Sequence, residues 1–178
     1  MPADPQCTLL GIPEHLHTCG RAEEQEFASS ERLYRRHQLG NRKLKMVINF
    51  KQMSVNREEF CHEVTDILNN SKTGDRYEGY GVVSFPVEAV LSLRHETPGV
   101  GQAPAVVATA TVRHDVADEP CNYSHSVVHG SVDGRELALG QDLSHTARMR
   151  LRFQIWRFVT TEIPADMAGE NLDDESWQ

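Results

Sequence analysis

A chain of 178 residues with 39% hydrophobic content and a mean hydropathy of −0.50 is long enough to bury one core without metal or disulfides, and no apolar run approaches the roughly 18 residues needed to span a bilayer. The net charge of −8 is unevenly spread: residues 1–26 set five acids against Arg21 and residues 162–178 carry six acids and no base, whereas 32–57 hold eight Lys and Arg residues without an acid and 148–157 add four arginines. The first thirty residues lack a basic start followed by an apolar stretch, which argues against a secretory signal and for a cytoplasmic setting, and cysteines 7, 19, 61 and 121 are spaced too irregularly for a disulfide framework, so they read as free or metal-bound.

Residues 1–28 mix Pro2, Pro5, Pro13, Gly11 and Gly20 with little periodicity and predict an irregular acidic arm. ERLYRRHQ (31–38) reads as a short helix or strand ended by Gly40, and KMVINF (45–50) as a core strand. Phe60, Val64, Ile67 and Leu68 fall on one stripe of the helical period, with Asn56 and Glu59 at capping-box spacing and Ser54 as another cap, so a helix is expected here. GYGVVSF (79–85) reads as a strand, Pro86 as the first turn of a short helix VEAVLSL, and TPGVGQAP (97–104) as a loop. VVATATVRH (106–114) alternates cleanly as a strand, with His114 ending its more apolar face. SHSVVHGSV predicts another strand, followed by an Asp-Gly turn at 133–134. Residues 149–155 alternate apolar residues with arginines, which favours a strand; Ser144 as a cap with Leu151, Ile155 and Phe158 would instead make a helix. The expected architecture is a single α+β domain over 29–161, with a mixed or antiparallel sheet and two or three helices, between the arm of 1–28 and an acidic disordered tail of 162–178.

Three constellations could carry chemistry. Cys7, His15, His17 and Cys19 are four zinc-type ligands within thirteen residues, enough to tie down an arm around zinc, although a C-x(2–4)-C knuckle is missing. In the run HDVADEPCNYSHSVVHG (114–130), Asn122, Ser124 and His125 could bond a small ligand, with His125 as general base, while His125 and His129 lie about 13 Å apart if the segment is a strand and so cannot share a metal. SVNRE (54–58) at the expected helix start could receive an anion. No Walker loop, G-x-S-x-G elbow, H-E-x-x-H or G-x-G-x-x-G is found.

The segments LYRR (33–36), FKQMSVN (50–56), GYGVVSF (79–85) and VRHDVADEPCNYSH (112–125) together resemble a group of small bacterial proteins without an assigned activity. Its members share an L-Y-R-R start, a central S-V-[DN], a G-x-G-x-x-x-F strand and an H-[DN]-P-x-x-x-N-x-[AS]-H box. The likeness spans about residues 31–130, with Val116 where the box has proline. It implies that Arg35, Ser54, Asn56, His114, Asn122 and His125 are the positions to test. A second likeness is to ADP-ribosyltransferase-like folds, whose NAD sites combine an early Arg or His, a Ser/Thr strand and a later Glu. Arg35 and Ser54 match the first two parts, with Glu136 beside the turn for the third.

The reading favoured by sequence is a non-catalytic component that binds a protein partner, with Phe27, Met167, Leu172 and Trp177 in the acidic ends docking to it. The second is an enzyme acting on a nucleotide or related anion, with His125 as base, Arg35 and Ser54 receiving the anion, and Asn56, His114 and Asn122 binding ligand. The third is nucleic-acid binding through 32–57 and 148–157. A catalyst should bring these residues into one place; an interaction module should leave them scattered.

Overall fold

The computed structural model describes residues 4–38, 48, 50, 53–101, 105–116, 121–137 and 143–165. Among them one antiparallel sheet of eight strands dominates: β1 (Arg32–Gln38), β2 (Met53–Arg57), β3 (Tyr80–Pro86), β4 (Arg94–Thr97), β5 (Val106–His114), β6 (His125–Val132), β7 (Arg135–Glu136) and β8 (Thr160–Ile163). The strand order is β4-β5-β6-β2-β1-β3-β8, and every pairing is antiparallel. β7 pairs with Ser131 and Val132 of β6, continuing the edge that β2 occupies over His125–Val128. The helices are α1 (Pro5–Leu9), α2 (Val87–Leu91) and α3 (His145–Trp156), so the α+β architecture holds.

Period-two alternation divides the sheet into a core face and a polar face. Leu33, Met53, Val55, Val83, Phe85, Ala108, Ala110 and Val128 point to the core face, where Ala147, Leu151 and Ile155 of α3 close over them with Ile48 and Phe50. The last two are the described part of the strand expected over 45–50, whose other positions lie outside the described residues. α3 corrects the strand reading of 149–155: Ala147, Leu151 and Ile155 recur every fourth residue and are buried, Phe153 is half exposed, and the Ser144 side chain caps the first turn by accepting from Ala147 N at 3.2 Å.

The helix expected across 56–68 is also corrected. Asn56 ends up inside β2, and two three-ten turns, Glu58–Phe60 and Val64–Leu68, follow. The apolar stripe of that segment is satisfied differently: Ile67 and Leu68 pack with Tyr34 and Val82 in a second small cluster. Glu63 and Asp66 form the capping box, not Asn56 and Glu59. The strand and turn readings of 80–86, 106–114 and 125–134 hold, the Asp133–Gly134 hairpin taking positive φ at both residues (50° and 76°), as a two-residue hairpin turn requires.

The arm is not a loose appendage. A disulfide joins Cys7 to Cys121 (Cα–Cα 5.5 Å), which overturns the reading of those two thiols as free or metal-bound; Cys19 is an exposed thiol and Cys61 a half-buried one. Cys7, Ile12, Leu16 and Cys121 form a buried cluster, and Tyr123 N donates to Leu16 O at 2.8 Å. The loop at Gly74 presses so closely on the arm that a Cβ there would stand 2.2 Å from Leu10 O. Of the acidic tail, Glu162 and Ile163 belong to β8; residues 166–178, with Met167, Leu172 and Trp177, lie outside the described residues.

Candidate functional site

β2 and β6 pair with Ser54 opposite Val127 and Asn56 opposite His125. This register puts Ser54, Asn56 and His125 on the polar face. His125 is buried, 5% exposed, and its two ring nitrogens have separate tasks. Nδ1 lies 2.6 Å from the carbonyl of Asp115, which only accepts, so the proton sits on Nδ1. In the neutral ring with that tautomer, Nε2 accepts the hydroxyl of Ser54 at 2.9 Å. A hydroxyl, a base and a group that fixes the tautomer of the base therefore stand in line.

The loop before β6 is clamped to β2. Asn122 Nδ2 donates to Asn56 Oδ1 at 2.8 Å, Ser124 Oγ lies 2.7 Å from Asn122 Oδ1 and 3.1 Å from Asn56 Oδ1, and Arg57 N donates to Ser124 O at 2.8 Å. Asn56 and Asn122 thus satisfy each other and Ser124, and their work is to hold the backbone that carries His125. Cys61, beside Ser124, has its thiol pushed up to about 12, mainly by burial, so it is a protonated thiol at neutral pH.

Two arginines flank the Ser54–His125 pair. Arg113 on β5 stands opposite Val127 on the side of β6 away from Ser54, half exposed, with its guanidinium 3.1 Å from Asp115 Oδ2. Arg36, two residues beyond the Tyr34 that pairs with Asn56, shares the polar face beside Ser54; it donates to Ile67 O at 3.1 Å and stacks 4.2 Å from the Tyr77 ring. Both were passed over in the sequence, although alternation from Asn56 and His125 could have pointed to them. Arg35 lies on the opposite face. It meets Ser54 only through the backbone, its guanidinium donating to Ser54 O at 2.5 Å, and burial lowers it to about 10.

His114 likewise belongs to the core face, opposite Ser126. Its Nε2 donates to Tyr123 O at 2.5 Å, its Nδ1 accepts from Glu24 N at 2.9 Å, and its ring stacks on Phe60. Burial lowers its pKa, so it is a neutral structural imidazole. Glu136 is exposed on β7 and bonds Thr111 at 3.3 Å.

The proposed zinc ligands are not assembled. Cys7 is in the disulfide, His17 bridges Ile12 O (2.9 Å) and Asp4 N (3.2 Å), and His15 bonds Asp66 at 2.8 Å while stacking on His62; among the described residues no group of three or more His, Cys, Asp or Glu side chains is placed to hold a metal.

The arginine of SVNRE, expected at a helix start that could receive an anion, is instead buried inside the fold. Arg57 is 0% exposed; it forms a bidentate pair with Glu31 (2.8 and 2.9 Å), reaches Glu59 Oε2 at 2.6 Å, donates to the carbonyls of Glu24 and Glu26 at 2.7 Å each, and lies between the Phe27 and Phe60 rings at 4.1 and 4.6 Å. Phe27 is thereby engaged within the fold. A cleft of about 540 Å³ opens beside this cage, lined by Glu26, Phe27, Glu31, Glu58 and Glu59 among others. The cleft and the Ser54–His125 pair share no residue. Among the described residues the pair sets a hydroxyl against an oriented imidazole, whereas Glu31 of the cleft is already paired with Arg57. Comparison with protein-family models, curated proteins and solved structures found no match.

Proposed function

We propose that the protein is a hydrolytic enzyme acting on an ester of an anionic small molecule, with Ser54 as nucleophile and His125 as general base. The observation that carries this reading is the line Ser54 Oγ, His125 Nε2, His125 Nδ1, Asp115 O, with steps of 2.9 and 2.6 Å between residues. Ser54 Oγ attacks the electrophilic centre while its proton passes to His125 Nε2; the imidazolium that forms is stabilised by the Asp115 carbonyl dipole. His125 then returns the proton to the departing alkoxide, and water hydrolyses the ester left on Ser54. Arg36, whose guanidinium meets the neutral Ile67 carbonyl and the Tyr77 ring, supplies the positive charge that favours an anionic substrate, while Arg113 is shared with Asp115.

Convergence of Ser54, Asn56, Asn122 and His125 favours catalysis over the interaction reading, which called for scattered residues. Nucleic-acid binding is less favoured, because Arg57 and Arg152 of the basic segments are buried and Arg32 is held by Ser84 and Glu162. No described helix is long and apolar enough to cross a membrane. The Cys7–Cys121 bond supports an oxidising compartment rather than the reducing cytosol expected from the first thirty residues. The test is treatment with a fluorophosphonate, which modifies activated serines covalently. Peptide mapping should find one adduct, on Ser54; no adduct at Ser54, or equal labelling of S54A, sinks the proposal.

A further inference from the structure

α3 carries its core residues on one side only. Ala147, Leu151 and Ile155 face the sheet, and at about 100° per residue Phe153 stands nearly opposite them. Arg150 and Arg157 lie on the same outward stripe, one turn before and one turn after Phe153. Phe153 is 51% exposed and Phe158, just past the helix end, is 46% exposed. Both arginines are exposed as well. Arg157 lies over the Phe153 ring at 5.2 Å, and among the described residues neither Arg150 nor Arg157 forms an ion pair. Arg94, whose backbone is bonded to Gln154 of the helix, spends its charge on Glu96. From His145 to Arg157 there is no acid, in a chain whose net charge is −8. The outward face of α3 is therefore a cationic stripe with two uncovered aromatic rings.

Charge and composition specify what fits it. Residues 166–178, outside the described residues, contain Asp166, Glu170, Asp173, Asp174 and Glu175 and no Lys or Arg, with Leu172 and Trp177 bracketing the last three acids. Acid and aromatic or aliphatic side chains in one short segment match arginine and phenylalanine on one helix face. The segment starts just after β8, the strand that follows α3. Fully extended, it reaches about 40 Å, against about 18 Å for the twelve residues of α3. Tethering gives it an effective concentration in the millimolar range, so contacts too weak to hold a separate peptide are occupied. An anionic membrane is a poorer match, because the net charge of −8 repels it.

We propose that the acidic segment 166–178 docks on the outward face of α3 of its own chain, its carboxylates pairing with Arg150 and Arg157 while Leu172 and Trp177 cover Phe153 and Phe158. The inference does not rest on the hydrolase reading, since α3 covers the core face of the sheet and Ser54 and His125 lie on the polar face.

The test labels the full chain with 5-fluorotryptophan and follows the fluorine resonance of Trp177, which W177F distinguishes from that of Trp156, the other tryptophan. A docked Trp177 relaxes with the whole domain, whereas an undocked one keeps the sharp line of a loose chain end. Transverse relaxation of Trp177 should be at least about twofold faster in wild type than in R150E/R157E and in F153S. Raising NaCl to about 0.5 M should slow it towards the variants, because screening weakens exposed ion pairs, and this measurement needs no substitution in α3. Adding D173K and D174K to R150E/R157E should restore the fast relaxation, as the reversed charges attract again. The proposal is overturned if Trp177 relaxes alike in wild type and in the α3 variants, or if salt leaves the wild-type rate unchanged. It is also overturned if the fast relaxation is lost on about tenfold dilution, which would mean that the segment reaches a second copy.

Discussion

Reduction of the Cys7–Cys121 disulfide should be the most damaging mild treatment this protein can receive. The bond spans a sequence separation of 114 residues. On the chain-entropy account, opening a loop of that length frees the unfolded state by about 4.8 kcal/mol, at the upper end of the ~2–5 kcal/mol observed when native disulfides are removed. The native state loses little else directly, because Leu16 and Ile12 stay buried and the bond from Tyr123 N to Leu16 O does not depend on the sulfurs. For a chain of this size the deficit corresponds to a fall in Tm of roughly 10–15 °C. Urea unfolding of wild type with and without a thiol reductant, and of C7S and C121S, gives the free energies directly. C19S, which removes an exposed thiol, is the control and should unfold like wild type. If C7S or the reduced protein lies within about 1 kcal/mol of wild type, either the bond does not form in solution or the arm is held by its packing alone, and the argument fails.

Replacing Arg57 by methionine should cost about 3–5 kcal/mol, since it strands the buried Glu31 carboxylate and the carbonyls of Glu24 and Glu26, whereas R94M breaks only an exposed pair with Glu96 and should cost less than about 1 kcal/mol; equal effects in urea unfolding would contradict the burial argument. Gly130→Ala would put a Cβ 2.8 Å from Leu143 Cγ, so a loss of about 1–3 kcal/mol is expected in urea unfolding, and the G130A/L143A double variant should lose less than the sum of the two single variants. Stability should also fall with pH below about 6.5. The pKa values of His114 and His129 are depressed in the folded state by burial, so the unfolded chain takes up protons first, and the stability held above pH 6.5 is lost as pH drops towards the folded values. Urea midpoints between pH 7.5 and 5 should show this slope, and H114N should flatten it; an unchanged slope in H114N would mean that His114 does not stay neutral.

The strands whose two faces differ in polarity were legible in the sequence. β5 alternates because one side meets α2 and the other does not, and the Asp-Gly hairpin announces itself through the positive φ it needs. Residues 56–68 misled because apolar spacing of three and four is shared by a helix and by successive three-ten turns; what decides between them is that Asn56 is spent on β2–β6 pairing. In α3 every second residue of 149–155 is apolar, but only Leu151 and Ile155 are needed at the core, with Phe153 half exposed. The disulfide was out of reach, as nothing local links positions 7 and 121.

Ser54 and His125 were both picked out from composition and resemblance. Their contact was not, because it depends on the register that sets Ser54 opposite Val127, a long-range property. Arg35 was expected beside Ser54 and Arg36 takes that face instead, for one reason: a single step along a strand changes the face. Arg57 was read as a solvent-facing cation at the SVNRE turn, because its cage draws on Glu24, Glu26 and Phe27, from a segment that reads as unstructured, and on Glu31.

The most direct test of the account is the rate at which fluorophosphonate modifies Ser54 in wild type and in H125A. If His125 Nε2 removes the proton of Ser54 Oγ, modification of H125A should be slower by about 100-fold or more at neutral pH while the fold, read by circular dichroism and Tm, persists. Labelling of folded H125A at the wild-type rate would show that the 2.9 Å contact is only a cross-strand hydrogen bond, and the catalytic reading would fall.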